Sequence, residues 1–391
     1  MELNSTSLKQ LAAWTDPTGV LSAFVGFPRA AGSERPTAPI ELKNAVGAVW
    51  DQARARLSHE RWALVRRHLD ELTPELERLG DPTRHGRGRA FFFGLSDGRL
   101  ETISIQLPLP TRVVLRGGPH LVPLLAVHET GRPSGLVAVQ RDGLALLEWR
   151  LGAVDDLERM PFEPNEDEWR EKRGPAHPNP MRGQQTAVHT QRFDRRLEAN
   201  RERFFKRAAV RLEELARMRG WSRLAFFGDA RLGHTLIDAL PARNDDFEVL
   251  VDDRVIDEVA HDVLADSAGR MLREAQVRRE LELVDRVKDA GLAATGRGAV
   301  GLPRVLDALN QGRVDRLVLD AAASFSGFVS PAGLLYPPDA SPADSEVRPE
   351  PELCEPMIVR ALATEARVPA VGEPAAQALR ALGGVGALLR W

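Results

Sequence analysis

Short runs of consecutive apolar residues alternate along this chain with stretches in which apolar positions recur every three or four residues. That is the pattern of strands interleaved with amphipathic helices. Leu21-Ser22-Ala23-Phe24-Val25 reads as a strand, after which Leu42, Val46, Val49, Ala53 and Leu57 recur at helical spacing. A second helix carries Trp62, Val65, Leu69 and Leu72. It stops at Gly80-Asp81-Pro82, where proline cannot continue the hydrogen-bond ladder. Ala90-Phe91-Phe92-Phe93 and Thr102-Ile103-Ser104-Ile105 are bounded by glycine, Asp97-Gly98 and proline, which predicts strands joined by tight turns.

Leu136-Val137-Ala138-Val139 and 144–149 flank Arg141-Asp142-Gly143 and read as a β-hairpin. From 163 to 190 the chain is polar, broken by Pro164, Gly174, Pro175, Pro178, Pro180 and Gly183, and has no apolar period; a loop this long inside a domain is functional or disordered. A helix of roughly 28 residues follows, with an inward stripe of Phe193, Leu197, Phe204, Ala208, Leu212 and Leu215, ending at Gly220. A strand at 224–227, a helix at 232–240 and a strand at 247–251 complete a βαβ unit. Helices carrying Val259, Val263, Met271, Leu281, Val284 and Val287 come next, then a helix at 305–309 and a strand at 316–320. The segment 324–356, rich in Pro, Ser, Asp and Glu, reads as an irregular insertion, and 366–391 as a strand followed by a turn or short helix.

The expected fold class is α/β (α+β) in three domains, since 391 residues exceed what one hydrophobic core serves. Their bounds are 1–133 for an N-terminal α/β domain, 134–254 for a mixed-sheet middle domain, and 255–391 for a C-terminal domain with the 324–356 insertion.

With 43% apolar and 28% charged residues, the chain can build packed cores. No stretch approaches the roughly 18 apolar residues of a membrane span, and the first residues lack a basic start followed by an apolar run. A cytoplasmic location is expected. The single cysteine, Cys354, makes no internal disulfide, and carboxylates flank it in Glu352-Leu353-Cys354-Glu355, which disfavours a reactive thiolate. No His, Asp, Glu or Cys cluster has metal-ligand spacing, so neither metal nor cofactor is expected. A net charge of −3 excludes a protein that coats nucleic acid with its whole surface.

Charge is nevertheless concentrated in one place. Residues 170–219 hold fourteen Lys or Arg against six Asp or Glu. Arg192, Arg196, Arg203, Arg207 and Arg211 fall at helical spacing beside the apolar stripe, with Arg195 adjacent, so one helix can pack on a sheet and face phosphates. A solvated helix face is the plain alternative. Ahead of it, Met181-Arg182-Gly183-Gln184-Gln185-Thr186-Ala187 reads as a slender loop tip, Gly183 giving backbone freedom. The tip offers amide and backbone donors and no carboxylate, so its chemistry is positioning and oxyanion stabilisation. His177 and His189 are the nearest titratable side chains, better suited to contacting RNA than to general base catalysis. A competing motif, Gly296-Arg297-Gly298-Ala299-Val300-Gly301 with Asp320 about twenty residues on, fits the dinucleotide fingerprint, although 289–295 lacks the β-branched run of a buried first strand.

Arg182-Gly183-Gln184-Gln185-Thr186-Ala187 resembles the Arg-Gly-Gly-Gln-Ser-Ala motif of the archaeo-eukaryotic class-one peptide release factors and their Pelota relatives. The basic helix, Gly228-Asp229-Ala230, and 306–314 are similar to later landmarks of those proteins. Residues 168–175 and 383–390 look like the bacterial archaeo-eukaryotic release-factor-like families, the actinobacterial group numbered ten above all, with Balon-type hibernation factors more distant. The resemblance implies a ribosome-associated protein that carries Gln185 into the peptidyl transferase centre to assist water in cleaving peptidyl-tRNA. Gly183 matches the first glycine, Gln184 replaces the second, and its Cβ restricts the backbone beside the ester. Two readings therefore stand: a peptidyl-tRNA ester hydrolase acting on stalled ribosomes, and a non-hydrolytic hibernation or rescue factor. In both, Arg182, His189, Arg192, Arg195, Arg196, Arg203 and Arg207 contact RNA. Nothing resembles the stop-codon-reading motifs of the decoding factors. By the same resemblance the last domain is L7Ae-like and a translational GTPase such as an elongation factor is a partner; a monomer is expected.

Overall fold

A computed structural model describes residues 1–27, 37–56, 58–140, 142–162, 182–240, 247–252, 261–293, 296–340 and 346–391, with backbone alone at 56, 60, 61, 64, 69–71, 182–197 and 262. Leu57, Val259 and 163–181, assigned above to helices or to the polar stretch, lie outside the described residues, as does the side chain of Leu69. The architecture is mixed α/β, in two compact units: Met1–Gly131 together with Leu272–Trp391, and Arg132–Met271.

The first unit opens with α1 (Ser5–Ala12), whose N-terminus is closed by a reciprocal capping box between Asn4 and Ser7. Then come β1 (Val20–Gly26), α2 (Ala38–Arg56), α3 (His59–Gly80), β2 (Gly88–Gly94), β3 (Leu100–Ile105), β4 (Arg112–Arg116) and α4 (Val122–Thr130). The strands form an antiparallel sheet in the order β3-β2-β1-β4, in which Leu21 lies opposite Phe93 and Phe24 opposite Ala90. Alternation along each strand sends Leu21, Ala23, Val25, Phe91 and Phe93 to a core shared with Leu42, Trp50, Val65 and Leu72 of the helices. Phe24 and Phe92 point the other way and are equally buried, meeting edge to face at 5.7 Å. Both faces being covered explains why these strands read as unbroken apolar runs.

The second unit contains β5 (Ser134–Gln140), β6 (Gly143–Arg150), β7 (Ala153–Pro161), α5 (Arg182–Arg219), β8 (Arg223–Gly228), α6 (Ala230–Asp238) and β9 (Glu248–Asp252). Its five-stranded sheet runs β7-β6-β5-β8-β9, antiparallel through the β5–β6–β7 meander and parallel across β5, β8 and β9. Asp229 caps α6 by accepting the Leu232 N–H at 3.1 Å.

The long helix α7 (His261–Leu292) leads into β10 (Gly298–Val300), α8 (Leu302–Asn310), β11 (Val314–Asp320), β12 (Gly327–Val329), β13 (Leu335–Tyr336), β14 (Arg348–Glu350), α9 (Cys354–Ala363), β15 (Ala370–Val371), α10 (Ala375–Arg380) and β16 (Val385–Leu389). The sheet order is β10-β16-β11-β15, and Val284, Val287, Val318, Val371 and Leu379 form the core beneath α7 and α10.

Three expectations are corrected here. The supposed irregular insertion 324–356 contains a three-stranded sheet, β13-β12-β14. It is pinned by Asn310, which donates to Leu335 O at 2.8 Å and accepts the Leu335 N–H at 3.0 Å. The short helix expected after the last strand is α10, but beyond it the chain adds a further strand, β16, paired on both edges inside its sheet. Val263, placed on an apolar helix stripe, is 55% exposed. The 296–301 glycine pattern also loses its dinucleotide context: a helix precedes it, and β10 lies inside the motif instead of before it.

Candidate functional site

Helix α5 is the scaffold of the candidate site. Phe204, Phe205, Ala208, Ala209, Leu212, Leu215 and Ala216 are buried and pack on Val137, Val139, Leu144, Leu146, Leu224 and Phe226 of the sheet. Gly220, at φ +65°, ends the helix in a conformation that a Cβ disfavours, and Trp221 N–H turns back to Ala216 O at 2.9 Å. Two side-chain anchors fix the rotation of the helix on the sheet. Trp221 Nε1 donates to the buried Glu148 at 2.8 Å, and Arg211 Nε donates to Glu158 of β7 at 2.8 Å while its other arm reaches Glu214 at 3.1 Å. Those carboxylates raise the Arg211 pKa further. Arg201 adds a cation–π contact, 5.4 Å from the Phe162 ring centre.

The stripe expected to face phosphates is thereby divided. Arg211, at the end of that stripe, is held by Glu158 and Glu214 and so takes part in the packing of helix on sheet. Lys206 pairs with Glu202 at 2.8 Å, drawing the Glu202 pKa down, and Arg217 pairs with Glu213. Arg203 and Arg207 remain, one turn apart, both exposed and without an ion pair among the described residues. They can meet phosphates without first breaking another interaction. The roles of Glu148 and Glu158 are not readable in the sequence, because they depend on which strand lies under the helix.

The position of the motif is the larger change. Residues 182–187 form the first turns of α5, a helix of 38 residues, where a loop tip and a helix of about 28 were expected. Gln184, Gln185 and Ala187 are good helix formers, and only Gly183 opposes them. Gly183 is thus not called upon for its freedom in a turn. A helix start brings its own chemistry: the first four N–H groups, here those of 182–185, have no acceptor within the helix and form the positive end of its dipole. No carboxylate lies in that turn to neutralise them. The side chains of Arg182, Gln184, Gln185, His189, Arg192, Arg195 and Arg196 lie outside the described residues, as does His177 entirely.

Among the described residues no three His, Cys, Asp or Glu are gathered in a way that would hold a metal ion, and no helix is long and apolar enough to cross a membrane.

Residues 133–267 match bacterial archaeo-eukaryotic release factor family 5, a family number different from the group ten expected above. The protein YocB of Bacillus subtilis, described as uncharacterized, is 22% identical over 162 residues, 41% of this chain and 60% of that protein. The chain therefore spans about 60% of the length of this curated relative. Among solved structures, the archaeal translation termination factor aRF1 aligns over 100% of this chain and 99% of its own at 17% identity, with a TM-score of 0.26. Archaeal Pelota, from a model of ribosome-bound Pelota and ABCE1, aligns over 100% and 95% at 16% identity, with a TM-score of 0.42. Scores this low leave the family match over 133–267 as the informative comparison.

Proposed function

We propose that this chain, release-factor-like over residues 133–267, docks on the ribosome and presents the start of α5 to the tRNA acceptor end in the peptidyl transferase centre. The family match carries the reading, since it covers the helix start and the whole basic helix. Arg203 and Arg207 hold α5 against ribosomal RNA. The backbone N–H of Gln185, with its side chain, faces the ester carbonyl, where donors fixed in advance stabilise the oxyanion that forms as water attacks. Gly183 keeps the chain thin beside Gln184, and Arg182, His189, Arg192, Arg195 and Arg196 contact RNA along the first turns. The reaction is hydrolysis of peptidyl-tRNA on stalled ribosomes, without stop-codon reading.

The test is peptide release from purified stalled ribosomes. Gln185→Ala abolishes release on this reading, and unchanged release would remove Gln185 from the chemistry.

One observation favours a second reading. Gln184 stands where the resemblance has glycine, adding a Cβ next to the reacting group, which suits a protein that occupies the site without cleaving. That factor binds tightly and releases no peptide, so multiple turnover by the natural sequence would exclude it. In either case the three-domain division at 133/134 and 254/255, an L7Ae-like last domain that meets a translational GTPase, a monomeric state and a cytoplasmic setting complete the proposal.

A further inference from the structure

We propose that a groove beside α7, in the last segment of the chain, binds the phosphate of a ribonucleotide through Arg286, Arg316 and Arg367. The groove holds about 450 Å³, within the range of small-molecule sites. It is lined by Arg286, Asp289 and Ala290 of α7, by Arg297 and Asp315, and by Leu388 and Leu389 of β16.

The other two arginines are not part of this lining, but strand register sets them in a row with Leu388, which is. Arg316 lies directly opposite Leu388 across the β11–β16 pair, and on its other side it bridges Arg367 in parallel. Directly opposed residues share a face of the sheet, so Leu388, Arg316 and Arg367 form one row. That face is the one under α7, because Val318, two residues beyond Arg316, packs with Val284 and Val287. Arg286, one residue before Val287, stands at the same edge.

Two features of this row are unfavourable as they stand. Like charges face each other across neighbouring strands, an arrangement that destabilises a sheet. The Arg316 Nε is buried and has no hydrogen-bond partner among the described residues, and a buried donor without an acceptor is disfavoured. Burial first, then Arg367 and Arg286, press the Arg316 pKa down, while Asp315 and Glu129 offset part of this. None of the three arginines forms an ion pair among the described residues. A single tetrahedral oxyanion removes both defects, since guanidinium forks match phosphate oxygens in geometry and charge. The lining, which besides Arg286 includes a second cation in Arg297, selects what carries that phosphate. Asp289 and Asp315 accept hydroxyl donors and repel a second anionic group, and Ala290, Leu388 and Leu389 offer an apolar floor for a base. A ribonucleotide has all three parts, whether free or as one residue of an RNA strand.

The experiment is calorimetric titration of the full chain at low salt with adenosine monophosphate, with inorganic phosphate, and with a short unstructured RNA. Arg286→Ala and Arg367→Ala serve as variants, both at exposed positions that leave the core intact. Adenosine monophosphate binds more tightly than inorganic phosphate, and each variant weakens it at least about tenfold, the effect of losing one charge-assisted hydrogen bond. RNA competing with the nucleotide identifies a strand as the source, and RNA failing to compete identifies a free nucleotide. Arg203→Ala with Arg207→Ala leaves nucleotide binding unchanged, which separates this site from the ribosome reading of α5. Equal affinity for phosphate and nucleotide, no nucleotide binding, or affinity unaltered in both groove variants would overturn the proposal.

Discussion

Nδ1 of His120 lies 2.5 Å from Oε1 of Glu355, with both side chains buried. The same carboxylate oxygen accepts the Leu121 N–H at 2.9 Å, and His120 N–H itself donates to Ser22 Oγ at 3.0 Å. Glu355 of α9 thus lies against the imidazole and holds the backbone that enters α4, next to the outer Arg116–Glu352 pair at 3.1 Å. Removing Glu355 leaves the buried Leu121 N–H without its acceptor. Glu355→Ala is expected to cost about 1–3 kcal/mol in urea unfolding, and Glu355→Gln, which keeps an acceptor, markedly less. An alanine variant as stable as the natural protein would mean that another acceptor takes the place of the carboxylate.

On the proposed function, Arg203 and Arg207 should dominate the salt dependence of ribosome binding contributed by the described part of α5. Replacing an arginine that meets one phosphate lowers the slope of log K against log salt by about one. Arg211→Ala, by contrast, should leave that slope alone and loosen the helix from β7. Ribosome pelleting at several salt concentrations distinguishes the two classes of variant.

Burial raises the Glu280 pKa, with nearby Glu129 adding to it, while hydrogen bonds from Gln276 and Gly372 N–H hold it back. An acid that binds its proton more tightly when folded favours the folded state at low pH. Stability should therefore fall as pH rises from the ordinary glutamate value through the raised one, and level off above it. Glu280→Gln should flatten that limb of the stability profile, as read from denaturant midpoints across pH 4 to 8 (about the range in which such groups titrate). A wild-type profile that rises through this window would contradict the assignment.

Cys354 is buried, and burial together with Glu352 and Glu355 pushes its thiol up to about 11. Because thiolate is the reactive form, iodoacetamide should not label the native protein at neutral pH but should label it promptly in denaturant. Rapid native labelling, detected by mass spectrometry, would require local opening at the start of α9.

The strands at 21–25, 90–93 and 224–227 are legible in the sequence because each is buried on both faces and written as a continuous apolar run. Other elements carry no such signal. β4, Arg112–Arg116, is a five-residue edge strand with arginine at each end. β16 begins beside Gly383 and Gly384 and contains Gly386, where Val287 Cγ1 would lie 2.4 Å from any added Cβ. Glycine there permits close packing under α7, while in sequence it reads as a turn. The β12–β14 sheet is held by Asn310, whose partner Leu335 is 25 residues away, a relationship invisible to local pattern. At the candidate site the motif is readable but its backbone is not. Gln184, Gln185 and Thr186 have no apolar period, so a helix start looks like a loop. Arg211 and Arg203 are indistinguishable by spacing, and only Glu158 beneath the helix separates them.

The unit formed by Met1–Gly131 and Leu272–Trp391 is interrupted in sequence by the whole of Arg132–Met271. On the translating ribosome the interrupting unit has all of its own partners before the outer one does. Its sheet can close while Ser22 and His120 still await Glu355. Synthesis order therefore favours an early-folding central module and a late docking of the two flanks, a step exposed to aggregation while the first unit lacks its second segment. Pulse proteolysis of nascent chains truncated near 271 should find the central unit protected and the leading segment cleavable.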